Sequence, residues 1–108
     1  MTTMSDNGVK LIDVGRDFTR FPAGRYSTDG KFSGQKFRDQ FLIPALENYS
    51  TVRVELDSTM GYGSSFLEEA FGGLVRAGLN ADDLLSKLEL ISRDSSLIDE
   101  INEYIATA

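Results

Sequence analysis

TVRVELDSTMGYGSSFLEEAFGGL, residues 51–74, passes from one kind of backbone to another within a single short loop. Val52, Val54 and Leu56 alternate with Arg53 and Glu55, a period of two that marks a strand with one wet face. Asp57 and Ser58 stand where that strand ends, and Thr59 to Gly63 form the connection. From Phe66 the period changes. At 3.6 residues per turn, Phe66, Leu67, Ala70, Phe71 and Leu74 share one side of a helix, and Glu68, Glu69, Gly72, Gly73 and Arg76 share the other. A strand feeding directly into a helix is the repeating step of an α/β fold.

The flanks extend the same pattern. Val9 to Val14 predicts a first strand, and residues 1–8 read as a polar, flexible N-terminus. Residues 16–34, RDFTRFPAGRYSTDGKFSG, carry the Gly, Pro and Asp-Gly signals of a structured loop or hairpin. Ser33 predicts the N-cap of a helix with Phe37, Phe41, Leu42, Ala45 and Leu46 on one face. Pro44 falls inside that helix and predicts a kink or an early end at Ile43. Asn80 predicts the cap of a further helical turn, LELIS a short third strand, and Ser95 or Ser96 the cap of a last helix. Residues 9–108 are expected to form one domain, a small mixed β-sheet with helices mainly on one face.

Composition excludes several kinds of chemistry. The chain has 108 residues, of which 41% are hydrophobic and 26% charged, as in a globular domain. It has no Cys and no His, which removes thiol nucleophiles, the usual zinc sites, haem ligation and the Ser-His-Asp triad. A carboxylate-only metal site is left open, but no metal or other cofactor is expected. A net charge of −6 argues against binding a nucleic-acid backbone. No apolar run reaches the roughly 20 residues that span a bilayer. The opening MTTMSDNG has neither the basic nor the apolar region of a signal peptide. A reducing cytoplasm fits these features, and no phosphate-binding GxxxxGK[ST] loop is present.

Two groups of residues are candidates for function. The first is the helix start. Ser65 with Glu68 three residues on reads as a capping box, which leaves Ser64 outside the helix as the presented hydroxyl. Tyr62, Ser65, Glu68, Glu69, Gly72, Gly73 and Arg76 are candidates for binding a partner. Adjacent glycines within a helix cost about 1 kcal/mol each relative to alanine. Gly72 and Gly73 therefore imply that something approaches closely, either a partner or a neighbouring element of the same domain. The second group is Arg20, Arg25, Lys31 and Arg38, near Gly24, Gly30 and Gly34. These cations suit an anionic ligand, or an internal network with Asp29 and Asp57. Asp57 at a strand end has no second carboxylate at a predictable spacing, so no catalytic residue is expected.

The strand ending in Asp, the short loop, the serine pair and the glycine-bearing helix resemble the STAS domain of anti-sigma factor antagonists. In that family the first serine of an Asp-Ser-Ser-Gly stretch is phosphorylated by a partner histidine-kinase-like ATPase. Ser64 and Ser65 match the serine pair, while Gly63 stands at the aspartate and Phe66 at the glycine. The stretches FPAGRY, DGKFSGQKFRDQF and GYGSSFLEEAFGGL are more closely similar to a STAS-like bacterial family of unknown function, over about residues 9–105. The resemblance implies a STAS-like fold and a non-enzymatic signalling role exercised through a protein partner, with Ser64 as candidate phospho-acceptor. A small anionic-ligand or nucleotide-binding module, using the Arg/Gly-rich loop, is the alternative. Oligomeric state is not readable.

Overall fold

The computed structural model describes residues 8–108; the expected flexible N-terminus therefore lies almost wholly outside the described residues. Three strands, β1 (Val9–Asp13), β2 (Thr51–Glu55) and β3 (Leu88–Ile91), form a sheet in the order β1-β2-β3. Both pairings are parallel, with Leu11 beside Arg53 and Arg53 beside Glu89. The fold is α/β, and the sheet is parallel rather than mixed. Each connection contains a helix that returns the chain to the same end of the sheet, which is the connection that parallel strands require.

Helix α1 runs over residues 34–48, α2 over 64–76, α3 over Ala81–Lys87 and α4 over Ser95–Thr107. The period-two pattern sends Ile12, Val52, Val54 and Leu88 into the core. There they meet Phe37, Leu42 and Leu46 of α1, and Phe66, Phe71 and Leu74 of α2. Ile101 and Ile105 of α4 complete the layer. The opposite face of the sheet is open, and Val9, Leu11 and Ile91 stand exposed on it. The expected one-sided arrangement of helices is therefore observed.

Helices α1 and α2 are not uniform. Each contains one wider π-helical turn, Arg38–Leu42 in α1 and Glu68–Gly72 in α2. The turn in α1 changes what Pro44 does. The N–H of Ile43 bonds the carbonyl of Arg38, five residues back, and Ile43 keeps helical angles of φ −62° and ψ −49°. The altered ladder accommodates the proline's missing donor, so the helix continues to Asn48 instead of ending early.

Ser33 caps α1 by accepting from the Lys36 N–H at 3.1 Å, and Asn80 caps α3 through the Asp83 N–H at 3.0 Å. At α4 the capping residue is Asp94, which accepts from the N–H groups of Ser96 and Leu97; the expected Ser95 and Ser96 lie inside the helix. The loop of residues 19–33 forms no hairpin. It folds back on α1, where the carbonyls of Gly24 and Arg25 accept from the Gly34 and Gln35 N–H groups at 2.9 and 3.0 Å.

Candidate functional site

The loop after β2 is braced at both ends. The Ser58 hydroxyl donates to the Asp13 carboxylate and accepts from the Gly15 N–H at 2.8 Å. The bond from Ser58 holds the Asp13 carboxyl below its ordinary range, against the opposing effect of burial. A Cβ on Gly15 would lie 2.1 Å from the Ser58 carbonyl oxygen, so only glycine allows this approach. Asp57 turns to the other side. It accepts from the Ser92 hydroxyl at 2.7 Å and the Arg93 N–H at 2.8 Å, and these lower its pKa. The expected partners Arg20 and Arg25 are not among its contacts. Tyr62 is half-buried and donates to the Leu56 carbonyl at 2.8 Å; burial pushes its pKa up to about 12.

Helix α2 then begins at Ser64, with Gly63 as N-cap and no side chain capping it. The expected capping box between Ser65 and Glu68 is absent. With Gly63 at the cap, the third helical position is Phe66, so neither member of the Ser65–Glu68 pair is in place. Glu68 is also held elsewhere. It accepts from both Arg76 terminal nitrogens at 2.7 and 2.9 Å, and from Arg25 at 2.5 Å. Arg76 first, and then Arg25, hold its pKa down against burial. Ser64 and Ser65 are both exposed.

Glu69 was expected on the outer face beside Glu68, but it is buried. Helix α1 packs against this flank of α2, where a Cβ on Gly34 would lie 3.1 Å from the Glu69 Cβ, so the carboxylate is covered rather than solvated. Arg38 Nη1 donates to Glu69 Oε2 at 2.5 Å, and Arg76 and Arg25 approach Oε1 at 3.2 and 3.4 Å. Three arginines from the loop, α1 and α2 thus converge on two adjacent glutamates. This is the internal network expected for the arginine-bearing segment, but Glu68 and Glu69 take the place foreseen for Asp29 and Asp57. Asp29 instead accepts from the Tyr26 N–H.

The same network explains the glycine pair. A Cβ on Gly73 would lie 2.5 Å from Arg38 Nη1, and one on Gly72 would lie 3.2 Å from the Tyr104 carbonyl of α4. Elements of the same domain make the close approach, so Gly72 and Gly73, both buried, do not belong to a contact face. Arg20 and Lys31 are exposed and make no ion pair among the described residues. Arg20 reaches the Met60 sulfur at 3.5 Å. The four cations Arg20, Arg25, Lys31 and Arg38 are therefore not gathered at one anion site.

Apolar groups at the same end of the molecule were not expected from the sequence. Phe21, Phe32 and Met60 are exposed. The Met60 N–H bonds the Arg20 carbonyl at 2.8 Å, which joins the two loops, and the Ala23 N–H bonds the Phe32 carbonyl at 3.2 Å within the longer one. Their positions in a Gly/Pro-rich loop were the available signal, since such side chains have little core to enter. Together with Ser64 and Ser65 they follow the C-terminal ends of β1 and β2, the edge at which open parallel sheets place their ligands.

A family model described as a STAS-like domain of unknown function matches residues 33–97. The chain belongs to this STAS-like family. No curated protein and no solved structure matches the chain. The matched span of the STAS-like domain runs from the cap of α1 through the serine pair, β3 and the first turn of α4, and so contains the glutamates and Arg38. Among the described residues, no group of three or more Asp or Glu side chains is arranged to hold a metal ion. No helix there is long and apolar enough to cross a membrane.

Proposed function

We propose that this STAS-like domain is a regulatory protein-interaction module without chemistry of its own. Its docking pole is formed by Ser64, Ser65, Tyr62, Met60 and the exposed loop residues Arg20 and Phe21. The observation that carries this reading is the free serine pair. Ser64 and Ser65 open a 13-residue helical run, neither is engaged as a cap, and both face solvent. Glu68, Glu69 and Arg76 are occupied with one another, so the contact face is smaller than the sequence implied.

Ser64 is the proposed phospho-acceptor, and the partner is a histidine-kinase-like ATPase that supplies the nucleotide in the cytoplasm. A phosphoryl group there adds up to about two negative charges. The unpaired N–H groups of the helix start stabilise that charge, so the fold survives while the docking pole changes sign. The alternative, an anionic ligand on the Arg/Gly-rich loop, loses Arg25 and Arg38 to Glu68 and Glu69. The interaction reading is preferred for that reason.

The test is incubation with a candidate partner ATPase and ATP, followed by mass spectrometry and affinity measurement. The expected result is phosphate on Ser64, with Ser64→Asp binding at least about tenfold more weakly than the parent and Ser64→Ala binding as the parent does. Equal affinities for all three, with no phosphate on Ser64, would overturn the proposal.

A further inference from the structure

Among the described residues, strand β1 lies at the edge of the sheet. The Gly8 carbonyl accepts from the Thr51 N–H at 2.8 Å, which fixes the alternation. Lys10 and Ile12 turn their backbone groups toward β2, and Val9, Leu11 and Asp13 turn theirs outward. Asp13 confirms the direction, because its N–H donates to the Asp17 carboxylate at 2.8 Å. The N–H and C=O groups of Val9 and Leu11, and the C=O of Asp13, have no strand partner among the described residues. The side chains of Val9 and Leu11 are half-exposed on the open face, at 50% and 49%. On the other face, a cavity of about 260 Å³ opens beneath the same edge, lined by Ile12, Phe41, Pro44, Ala45 and Tyr49.

We infer that β1 pairs antiparallel with β1 of a second copy of this chain, about a two-fold axis through Leu11. The two sheets then join into one of six strands. Register decides for a second copy. Centred on Leu11, each Leu11 N–H donates to the other Leu11 carbonyl, and each Val9 N–H donates to the second lone pair of the other Asp13 carbonyl, which as N-cap also takes the first bond of the π-turn. Every free donor of the edge is used, and the Asp13 N–H, already bound to Asp17, is not needed. Centring on Lys10 sets two ammonium groups opposite each other, which is destabilising. Centring on Ile12 calls on the occupied Asp13 donor and keeps only the two bonds from Leu11.

The side chains agree with that register. The two Leu11 side chains meet on the open face, and the stem of each Lys10 lies across the other copy's Ile12 at the mouth of the cavity. Beyond Asp13 the π-turn Val14–Phe18 ends the strand, so the pairing is limited to one short segment, and the two-fold uses β1 of both copies and closes at a dimer. This interface is independent of the serine pole and does not rest on the proposed function.

Sedimentation of the full chain tests it directly. At about 100 µM the parent is expected at twice the 11.9 kDa chain mass, dissociating toward about 1 µM as a small interface does. Leu11→Pro removes an outward donor without touching the ladder to β2, and is expected to raise the dissociation constant at least about tenfold. Amide exchange of the parent gives a second reading that needs no variant. The Val9 and Leu11 amides should be protected at the high concentration and exchange freely at the low one. A parent that stays at 11.9 kDa at the high concentration overturns the inference. So does a dimer in which the Val9 and Leu11 amides exchange freely, or one that Leu11→Pro leaves intact. A monomeric parent that protects these amides only when another protein is added would assign the edge to that other partner.

Discussion

Replacing Arg38 by alanine removes the closest partner of the most deeply buried acid. The two side chains are 13% and 8% exposed and meet at 2.5 Å, so Glu69 Oε2 loses its partner in a site that water barely reaches. Breaking a buried pair by removing one member costs about 3–5 kcal/mol. Here part of the loss is offset, because Arg76 and Arg25 still approach Glu69 Oε1 at 3.2 and 3.4 Å. The expected cost is therefore about 2–3 kcal/mol. At about 2.1 cal/mol/K per residue, the unfolding entropy of a 108-residue chain is about 0.23 kcal/mol/K, so Tm should fall by about 9–13 °C. Thermal melts followed by circular dichroism measure it. Arg53→Ala is the control: its pair with Glu89 is half-exposed on both sides and worth under about 1 kcal/mol. Arg38→Met combined with Glu69→Met should lie within about 1 kcal/mol of the parent, since a buried pair exchanged for packed apolar groups is often neutral. A fall of under about 3 °C for Arg38→Ala, or one no larger than that of Arg53→Ala, would refute the reasoning that burial makes this pair count.

Three further outcomes are expected. Gly34→Ala places a Cβ 2.4 Å from the Phe66 carbonyl and should cost about 2–3 kcal/mol, read as a lower urea midpoint; a change under about 0.5 kcal/mol would mean that α1 and α2 can move apart freely. Ser33→Ala removes a fully buried cap and should cost about 1–2 kcal/mol, whereas Ser65→Ala should be silent within about 0.5; equal costs in chemical denaturation would restore the capping box. Stability should fall with acid. Glu68 and Asp13 have folded pKa values below their ordinary 4.5 and 3.8, so the unfolded chain binds more protons as pH falls. The stabilisation is present above those ordinary values and is lost as pH drops through the folded ones, and Glu68→Gln should flatten the decline in melts taken from pH 7 to pH 3.

The alternation in residues 51–56 and the helical spacing after Phe66 made the α/β class readable, because burial on one face of a strand or helix leaves a period in the sequence. Ser33 and Asn80 were readable as caps for a similarly local reason. The apolar stripe of α2 lies where a period of 3.6 puts it, but Glu69 on the flank is buried because α1 packs over it through Gly34 and Arg38, a long-range contact that the period does not carry. Of the kink or early end that Pro44 predicts, the early end does not occur, because the π-turn Arg38–Leu42 lets α1 run on to Asn48. Asp94, rather than Ser95 or Ser96, caps α4 because three adjacent residues could each serve and sequence alone does not rank them. The sequence implies an arginine network as a kind of interaction, but its acids lie 43 and 44 residues from Arg25, a separation that no local pattern encodes.

The loop that folds back on α1 has a consequence for the order in which the chain acquires structure. Two of the first donors of α1 bond to Gly24 and Arg25, so this helix end has no complete set of partners until the loop is in place. The loop in turn is anchored by Arg25 to Glu68, on a helix formed much later in the chain. Neither the loop nor the start of α1 can then be a folding nucleus; both should be laid down together, after α2 has docked on the sheet. Substitutions at Gly24 or Arg25 are accordingly expected to speed unfolding far more than they slow folding.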